Sequence, residues 1–154
     1  MRLTTFTDYS LRVLIYLAIR PEQRVTIAEI ATAFDISESH LMKVVHFLGK
    51  HGFLANVRGK GGGLTLASTP DAINVGAVVR LTEADSLPAE CFDPDRNTCV
   101  ISQSCQLRKI LGEAVSAFYS VLERYSLADL VVGRSQLARI LSIPVETVRR
   151  RARP

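Results

Sequence analysis

The spacing of apolar and polar residues in the first part of the chain predicts three short helices. Between Thr7 and Ile19, apolar residues recur at helical intervals. A second helix is predicted from Thr26, because Thr26 and Glu29 have the spacing of a capping box ahead of further apolar positions. Ser37 follows a short turn and is expected to cap a third helix with an apolar inner face. Three helices in such close succession are typical of a helix-turn-helix domain.

A glycine-rich stretch after the third helix predicts a β-hairpin. Residues 53–57 and 64–67 have the composition of short strands, and four of the six residues between them are glycine. A hairpin of this kind is the wing of a winged helix-turn-helix domain, which we assign to residues 1–68. A phosphate-binding nucleotide loop is excluded, because no Gly-Lys-Ser or Gly-Lys-Thr leads into a helix.

Outward positions of the third helix and of the wing carry side chains suited to duplex DNA. The first turn offers hydrogen-bond donors for phosphates or base edges, and the glycine backbone brings two cations close to a minor groove. A winged helix that contacts only proteins is the alternative. The predicted DNA-binding residues are Thr26, Ser37, Ser39, His40, Lys43, Arg58, Gly59, Lys60 and Gly61.

The second half of the chain is dominated by a long helical pattern that begins at Leu107. It continues for about five turns, or roughly 30 Å, and its apolar face is too extensive for one small domain to cover. A second copy of the chain could cover it. The predicted fold is therefore mainly α with a small β wing. After the wing we place a linker helix and cysteine loop (69–106), a dimerisation helix and cap (107–133) and a basic, flexible tail (134–154).

The net charge of +4 is unevenly distributed. Residues 1–68 contain eight Lys or Arg against five Asp or Glu, whereas residues 69–133 contain five against nine. A polyanionic partner is therefore expected for the first part. The run Arg149, Arg150, Arg151 and Arg153 is either a solvated tail or an accessory phosphate contact. Apolar runs too short for a bilayer, and an opening unlike a signal peptide, predict a cytoplasmic protein without membrane attachment.

The three cysteines of the chain, Cys91, Cys99 and Cys105, fall within one fifteen-residue stretch of an acidic loop. An odd number of cysteines without a secretory signal argues against a disulfide framework. The paired knuckles of structural zinc sites are absent. Iron–sulfur clusters tolerate irregular spacing and one ligand other than cysteine, and an iron with such a ligand is open to attack, as suits a sensor. Zinc and three free thiols remain alternatives. No pairing of a nucleophile with a base indicates an enzyme.

Four motifs together resemble the NsrR family of winged-helix regulators, which sense nitric oxide and belong to the same superfamily as IscR. The motifs are residues 2–9, the wing at 57–63, the three cysteines before a long helix, and residues 125–130. The resemblance extends from Met1 to about Leu130. IscR-type proteins carry a histidine three residues after the last cysteine, where this chain has Arg108. That departure favours the NsrR family.

The resemblance implies a homodimeric repressor of operator DNA that contains a 4Fe-4S cluster, or a 2Fe-2S cluster on the same ligands. Cys91, Cys99 and Cys105 of one subunit would hold it together with Asp8 of the partner subunit. Nitric oxide would release the DNA and derepress genes for its own detoxification. From the residues alone, Asp8 is explained as a carboxylate in the first turn of a helix, where it complements the helix dipole. A sensor of cluster supply or oxidation, and a metal-free thiol regulator, remain open.

Overall fold

The computed structural model describes residues 2–21, 23–57, 59, 61–84 and 87–143. Seven helices and one hairpin are found in these ranges. They are α1 (Thr5–Ile19), α2 (Ile27–Phe34), α3 (Glu38–Lys50), β1 (Leu54–Val57), β2 (Gly63–Leu66), α4 (Val75–Thr82), α5 (Gln106–Leu122), α6 (Leu127–Leu130) and α7 (Arg134–Ile140), with 3-10 turns at Pro70–Ala72 and Glu90–Phe92. The mainly α fold with a two-stranded wing is confirmed.

Helix α1 is the centre of the core. Its residues Val13, Leu14 and Leu17 are fully buried, and it contacts α2, α3, α4, α6, α7 and the wing. The helix begins two residues earlier than predicted, because the hydroxyl of Thr4 accepts a hydrogen bond from the Thr7 backbone N–H and caps it. Helix α1 is therefore the element against which most of the other elements pack.

The helix-turn-helix unit forms largely as the capping signals predict. Thr26 and Glu29 make the complete capping box, with bonds of 3.2 Å and 2.7 Å to each other's backbone N–H. Asp35 ends α2 in the left-handed conformation. Ser37 precedes α3 as predicted, but its side chain makes no capping bond. Its hydroxyl pairs instead with the ring of His40, so Ser37 occupies the predicted N-cap position without the side-chain bond expected of a capping serine.

The wing is an antiparallel pair in which Leu54 faces Leu66 and Val57 faces Gly63. A bridge between Val25 and Leu64 joins the segment before α2 to this hairpin. The wing is therefore hydrogen-bonded to the segment that leads into α2.

Helices α4 and α5 meet in a close joint. Asn74 caps α4 by accepting a bond from Ala77, and its amide donates to the carbonyl of Glu123. The guanidinium of Arg80 lies 4.1 Å from the ring centre of Tyr119 and pairs with Glu123. One face of α5 is thereby fixed to α4, although no residue of α5 is fully buried.

Residues 134–143, placed in a flexible tail by the sequence, are helical over Arg134–Ile140 and packed on the core. Ala138 and Ile143 are buried in the main apolar cluster, and α7 contacts α1. The predicted tail beyond Ile143 lies outside the described residues. Within the described ranges, none of the helices combines the length and the apolar character needed to cross a membrane.

Candidate nucleic-acid interface and cysteine loop

The predicted DNA-binding residues of α3 are brought together at its amino-terminal end. Ser37, Ser39 and His40 are all exposed. The Ser37 hydroxyl lies 2.9 Å from Nδ1 of His40 and 3.3 Å from the Ser39 hydroxyl. Lys43 is exposed one turn later. This end of α3 therefore presents three hydrogen-bonding side chains and a cation on one accessible surface.

The wing tip is held near the start of α2 by a residue that the sequence analysis did not select. Arg24 donates a hydrogen bond of 2.8 Å to the carbonyl of Gly61. Gly59 and Gly61 have positive φ values of 100° and 77°, which favour glycine. Arg58 and Lys60 lie outside the described residues. A lone cation between two predicted helices gave no pattern from which the role of Arg24 could be inferred.

Asp8 lies in the first turn of α1 and makes a specific ion pair. Its carboxylate is 2.9 Å from the guanidinium of Arg12, and both side chains remain partly exposed. The Arg12 guanidinium also lies 5.7 Å from the ring centre of Phe34 on α2. The position of Asp8 agrees with the helix dipole, but its partner connects it to the helix-turn-helix unit as well.

The buried carboxylate of Glu83 holds the amino-terminal end of α1 against the end of α4. It accepts bonds from the backbone N–H of Thr4 at 2.7 Å and from the Thr4 hydroxyl at 2.8 Å, and the Thr7 hydroxyl also donates to it. The cysteine loop begins directly after this point. The sequence analysis did not select Glu83, because nothing local distinguishes a buried carboxylate at a helix end from an exposed one.

The cysteine loop is ordered by its own polar contacts. All three thiols are free; Cys99 is exposed, while Cys91 and Cys105 are half-buried. The carboxylate of Glu90 accepts bonds from the hydroxyl and the backbone N–H of Thr98, and these bonds lower the pKa of Glu90. Cys105 immediately precedes α5. The loop is therefore folded back on itself and attached to α5 at its end.

The donor set of this loop fits an iron–sulfur cluster in chemistry but is incomplete in one chain. Three free thiols within fifteen residues are suitable ligands, and a fourth must come from outside the loop. In the part of the chain that the structure describes, no group of three or more His, Cys, Asp or Glu side chains is gathered closely enough to hold a metal ion. Within a single subunit, therefore, neither the three cysteines alone nor the cysteines with Asp8 are gathered into a metal site.

Comparison with known proteins finds close relatives along most of the chain. The family model described as Rrf2, iron-dependent transcriptional regulator, matches residues 3–133. The chain is 47% identical to the HTH-type transcriptional regulator NsrR of Bacillus subtilis (strain 168), over 93% of this chain and 99% of that protein. It is also 47% identical to NsrR of Geobacillus kaustophilus (strain HTA426), over 92% of this chain and 97% of that protein.

Solved structures share the fold. CymR, the global cysteine regulator of B. subtilis, superposes with a TM-score of 0.69 at 28% identity, covering 84% of this chain and 95% of that one. IscR of T. potens superposes with a TM-score of 0.71 at 22% identity, covering 96% and 94%. The overall fold of the chain is therefore shared with these solved structures.

Proposed function

Because the chain belongs to the Rrf2 family of transcriptional regulators, we propose that it is a repressor that releases operator DNA when nitric oxide attacks a bound iron–sulfur cluster. It is a DNA-binding regulator and not an enzyme. The observation that carries the proposal is the loop of three free thiols, which joins the end of α4 to the exposed helix α5. Such a loop can connect a cofactor both to the DNA-binding unit and to a second subunit.

Helix α5 supplies the surface for a homodimer. Five of its residues are apolar and exposed, at alternating intervals of three and four, which is the spacing of a coiled-coil seam. The opposite face is half-buried against the rest of the chain. A second copy would remove the exposed face from water. We call these residues the α5 seam: Leu107, Ile110, Ala114, Ala117 and Val121.

In such a dimer, two helix-turn-helix units would bind one duplex. Helix α3 is the recognition helix of the motif, and in dimers the two recognition helices enter major grooves about 34 Å apart. The exposed donors Ser37, Ser39 and His40 would contact phosphates or base edges, and Lys43 would contact a phosphate. The wing, with Arg58 and Lys60, would follow the backbone into the adjacent minor groove.

Cys91, Cys99 and Cys105 would hold the cluster, with Asp8 of the partner subunit as the fourth ligand. When bound, a 4Fe-4S cluster, or a 2Fe-2S cluster on the same residues, supplies irons with which nitric oxide reacts. Asp8 would have to leave or share its ion pair with Arg12 to reach a ligand position. Loss of that link would let α1 shift together with α2 and α3, which pack on it, and so change the spacing of the two recognition helices.

The test is anaerobic purification, an absorbance spectrum and a nitric oxide titration during which operator binding is measured. Wild-type protein should contain iron and sulfide and lose operator affinity as nitric oxide is added. Cys91→Ala, Cys99→Ala and Cys105→Ala should each remove the cluster and specific binding, while Ser104→Ala in the same loop should not. Unchanged operator affinity in a cysteine variant, or binding by colourless wild-type protein, would contradict cluster dependence.

Asp8→Ala tests the fourth ligand separately. The cysteines should still hold a cluster, but its spectrum or its response to nitric oxide should change. If the spectrum and the response of Asp8→Ala match those of the wild type, Asp8 is not a cluster ligand and only stabilises the first turn of α1. A cluster that responds to oxidation but ignores sub-stoichiometric nitric oxide would instead indicate a sensor of redox state or cluster supply.

A further inference from the structure

A short extended segment between α1 and α2 lies along the wing and carries a cation. Val25 is buried and forms the antiparallel bridge with Leu64, with backbone bonds of 3.1 Å and 2.8 Å. Successive side chains of an extended segment point to opposite faces. Arg24 and Thr26, on either side of Val25, are both exposed. Arg24 therefore shares an exposed face with Thr26, the residue that caps α2.

The wing approaches this segment closely enough to hold the guanidinium of Arg24 in place. At Gly63, an added Cβ would lie only 3.1 Å from the Cβ of Arg24 and 3.1 Å from the carbonyl oxygen of Val25. From this base, Arg24 reaches the wing tip and donates to the Gly61 carbonyl at 2.8 Å. A guanidinium carries five N–H donors in a rigid fork, so most of them remain available. Among the described residues, no carboxylate lies within ion-pair distance of Arg24.

Thr26, by contrast, uses its donors within the capping box. Its backbone N–H and its hydroxyl both donate to the Glu29 carboxylate, at 2.7 Å and 2.9 Å. That carboxylate also pairs with Arg20 at 2.9 Å, which balances its charge. The phosphate oxygens of DNA accept hydrogen bonds. A phosphate that reaches this end of α2 therefore finds free donors and a positive charge on Arg24, and not on Thr26.

From this placement we infer that Arg24 binds a phosphate of the DNA backbone between the start of α2 and the wing tip. The inference rests on the proposed function, because it requires the helix-turn-helix unit to lie on DNA. In such complexes the first helix of the motif crosses the phosphate backbone while the second enters the major groove. The bond to Gly61 reduces the side-chain freedom that Arg24 would otherwise lose on binding.

The experiment measures DNA affinity as a function of salt for full-length, cluster-loaded chains under anaerobic conditions. The duplex is the sequence that wild-type protein selects from a random pool. Arg24→Gln removes the charge and leaves a polar amide, whereas Arg24→Lys keeps the charge. Each neutralised phosphate contributes about 0.9 to the slope of log affinity against log salt, so Arg24→Gln should flatten the slope of a dimer by about 1.8. Over a fourfold rise in salt, the wild type should then lose about twelve times more affinity than Arg24→Gln.

Arg24→Lys should retain the wild-type slope. The control is Lys109→Gln, which makes the same change of charge at an exposed position of α5 and should also keep that slope. On duplexes with single base changes, Arg24→Gln should reduce affinity by the same factor as on the selected duplex, because a phosphate contact reads no base.

A wild-type slope in Arg24→Gln would overturn the inference while leaving the proposed function intact. If affinity is nevertheless reduced equally at all salt concentrations, Arg24 only positions the wing. A loss of affinity that depends on the base sequence would overturn the inference as well. Wild-type protein that selects no sequence from the pool would contradict the proposed function, and the inference with it.

Discussion

Glu90 and Thr98 form a clamp between the first two cysteines, with the Glu90 carboxylate 2.7 Å from the Thr98 hydroxyl and 2.8 Å from its backbone nitrogen. Each of the two residues directly precedes a cysteine, Cys91 and Cys99. The clamp therefore ties together the two backbone segments that carry Cys91 and Cys99. Preorganisation of ligands by neighbouring hydrogen bonds is a common way to favour metal binding.

We predict that Glu90→Ala loosens this part of the loop more than Thr98→Val does. Glu90→Ala removes both bonds, whereas Thr98→Val removes only the bond from the hydroxyl. In metal-free protein, the thiols of Cys91 and Cys99 should then react faster with an alkylating reagent. Iron bound per chain after anaerobic reconstitution should fall in the same order.

The control is Glu113→Ala, which removes an exposed carboxylate from α5. It should leave both thiol reactivity and iron content at wild-type levels. Thiol reactivity that is identical in Glu90→Ala and wild-type protein would show that the clamp does not order the loop.

Local signals explain why so much of this fold could be predicted from the sequence. The capping box at Thr26, the cap at Asn74 and the glycines of the wing each specify the backbone within a few residues. Helix α5 was expected because its apolar positions recur regularly, but the sequence did not separate the apolar residues packed within the chain from those of the exposed α5 seam. Helix α7 was missed because it is short and weakly patterned, and its burial of Ala138 and Ile143 depends on distant residues.

The candidate site was only partly predictable for the same reason. The cysteines and the donors of α3 are conspicuous by residue type and spacing. Glu83 and Arg24 gain their roles from partners far along the chain, at Thr4 and at Gly61. Contacts over such sequence distances leave no periodic or compositional signal.

Gly76→Ala should destabilise the joint between α4 and α5. A Cβ at this position would lie 2.5 Å from Cγ and 2.7 Å from the backbone nitrogen of Glu123, so the two helices would have to separate. Overpacking of this kind costs about 1–3 kcal/mol, measurable as a lower midpoint of chemical unfolding. Gly49→Ala in α3 is the control. Its Cβ would meet nothing closer than 3.6 Å, and alanine should stabilise a helix by up to about 1 kcal/mol.

Glu29 should make the stability of the DNA-binding unit depend on acidic pH. Burial raises the pKa of its carboxyl, but hydrogen bonds from Thr26 and Arg20 outweigh this and lower the pKa below its ordinary value. A carboxyl with a lowered folded-state pKa stabilises above its unfolded pKa, and that contribution is lost as the pH falls through the folded pKa. Because 39% of the Glu29 side chain is exposed, solvent screens its ion pair with Arg20, and Glu29→Gln should be less stable than wild type at pH 7 by less than about 1 kcal/mol.

The measurement compares unfolding midpoints of the two proteins at neutral pH and below the folded pKa of Glu29. The difference should disappear in acid, where the wild-type carboxyl is also uncharged. Glu113→Gln controls for the loss of a charge at an exposed site. If the difference in unfolding midpoint persists unchanged in acid, the contribution of Glu29 to stability comes from packing and not from ionisation.

Ile110→Glu should separate the subunits without unfolding them. Ile110 lies in the middle of the α5 seam with 59% of its surface exposed, so a glutamate is tolerated in a single chain. In a dimer the same side chain would bury a charge against apolar residues of the second copy, which is costly. Light scattering should report the mass of a monomer, with unchanged helical circular dichroism, and operator affinity should fall because one half-site is contacted at a time.

Ser120→Glu, on the exposed polar face of α5, should remain dimeric. If the Ile110→Glu chain is still dimeric, the α5 seam is not the subunit interface.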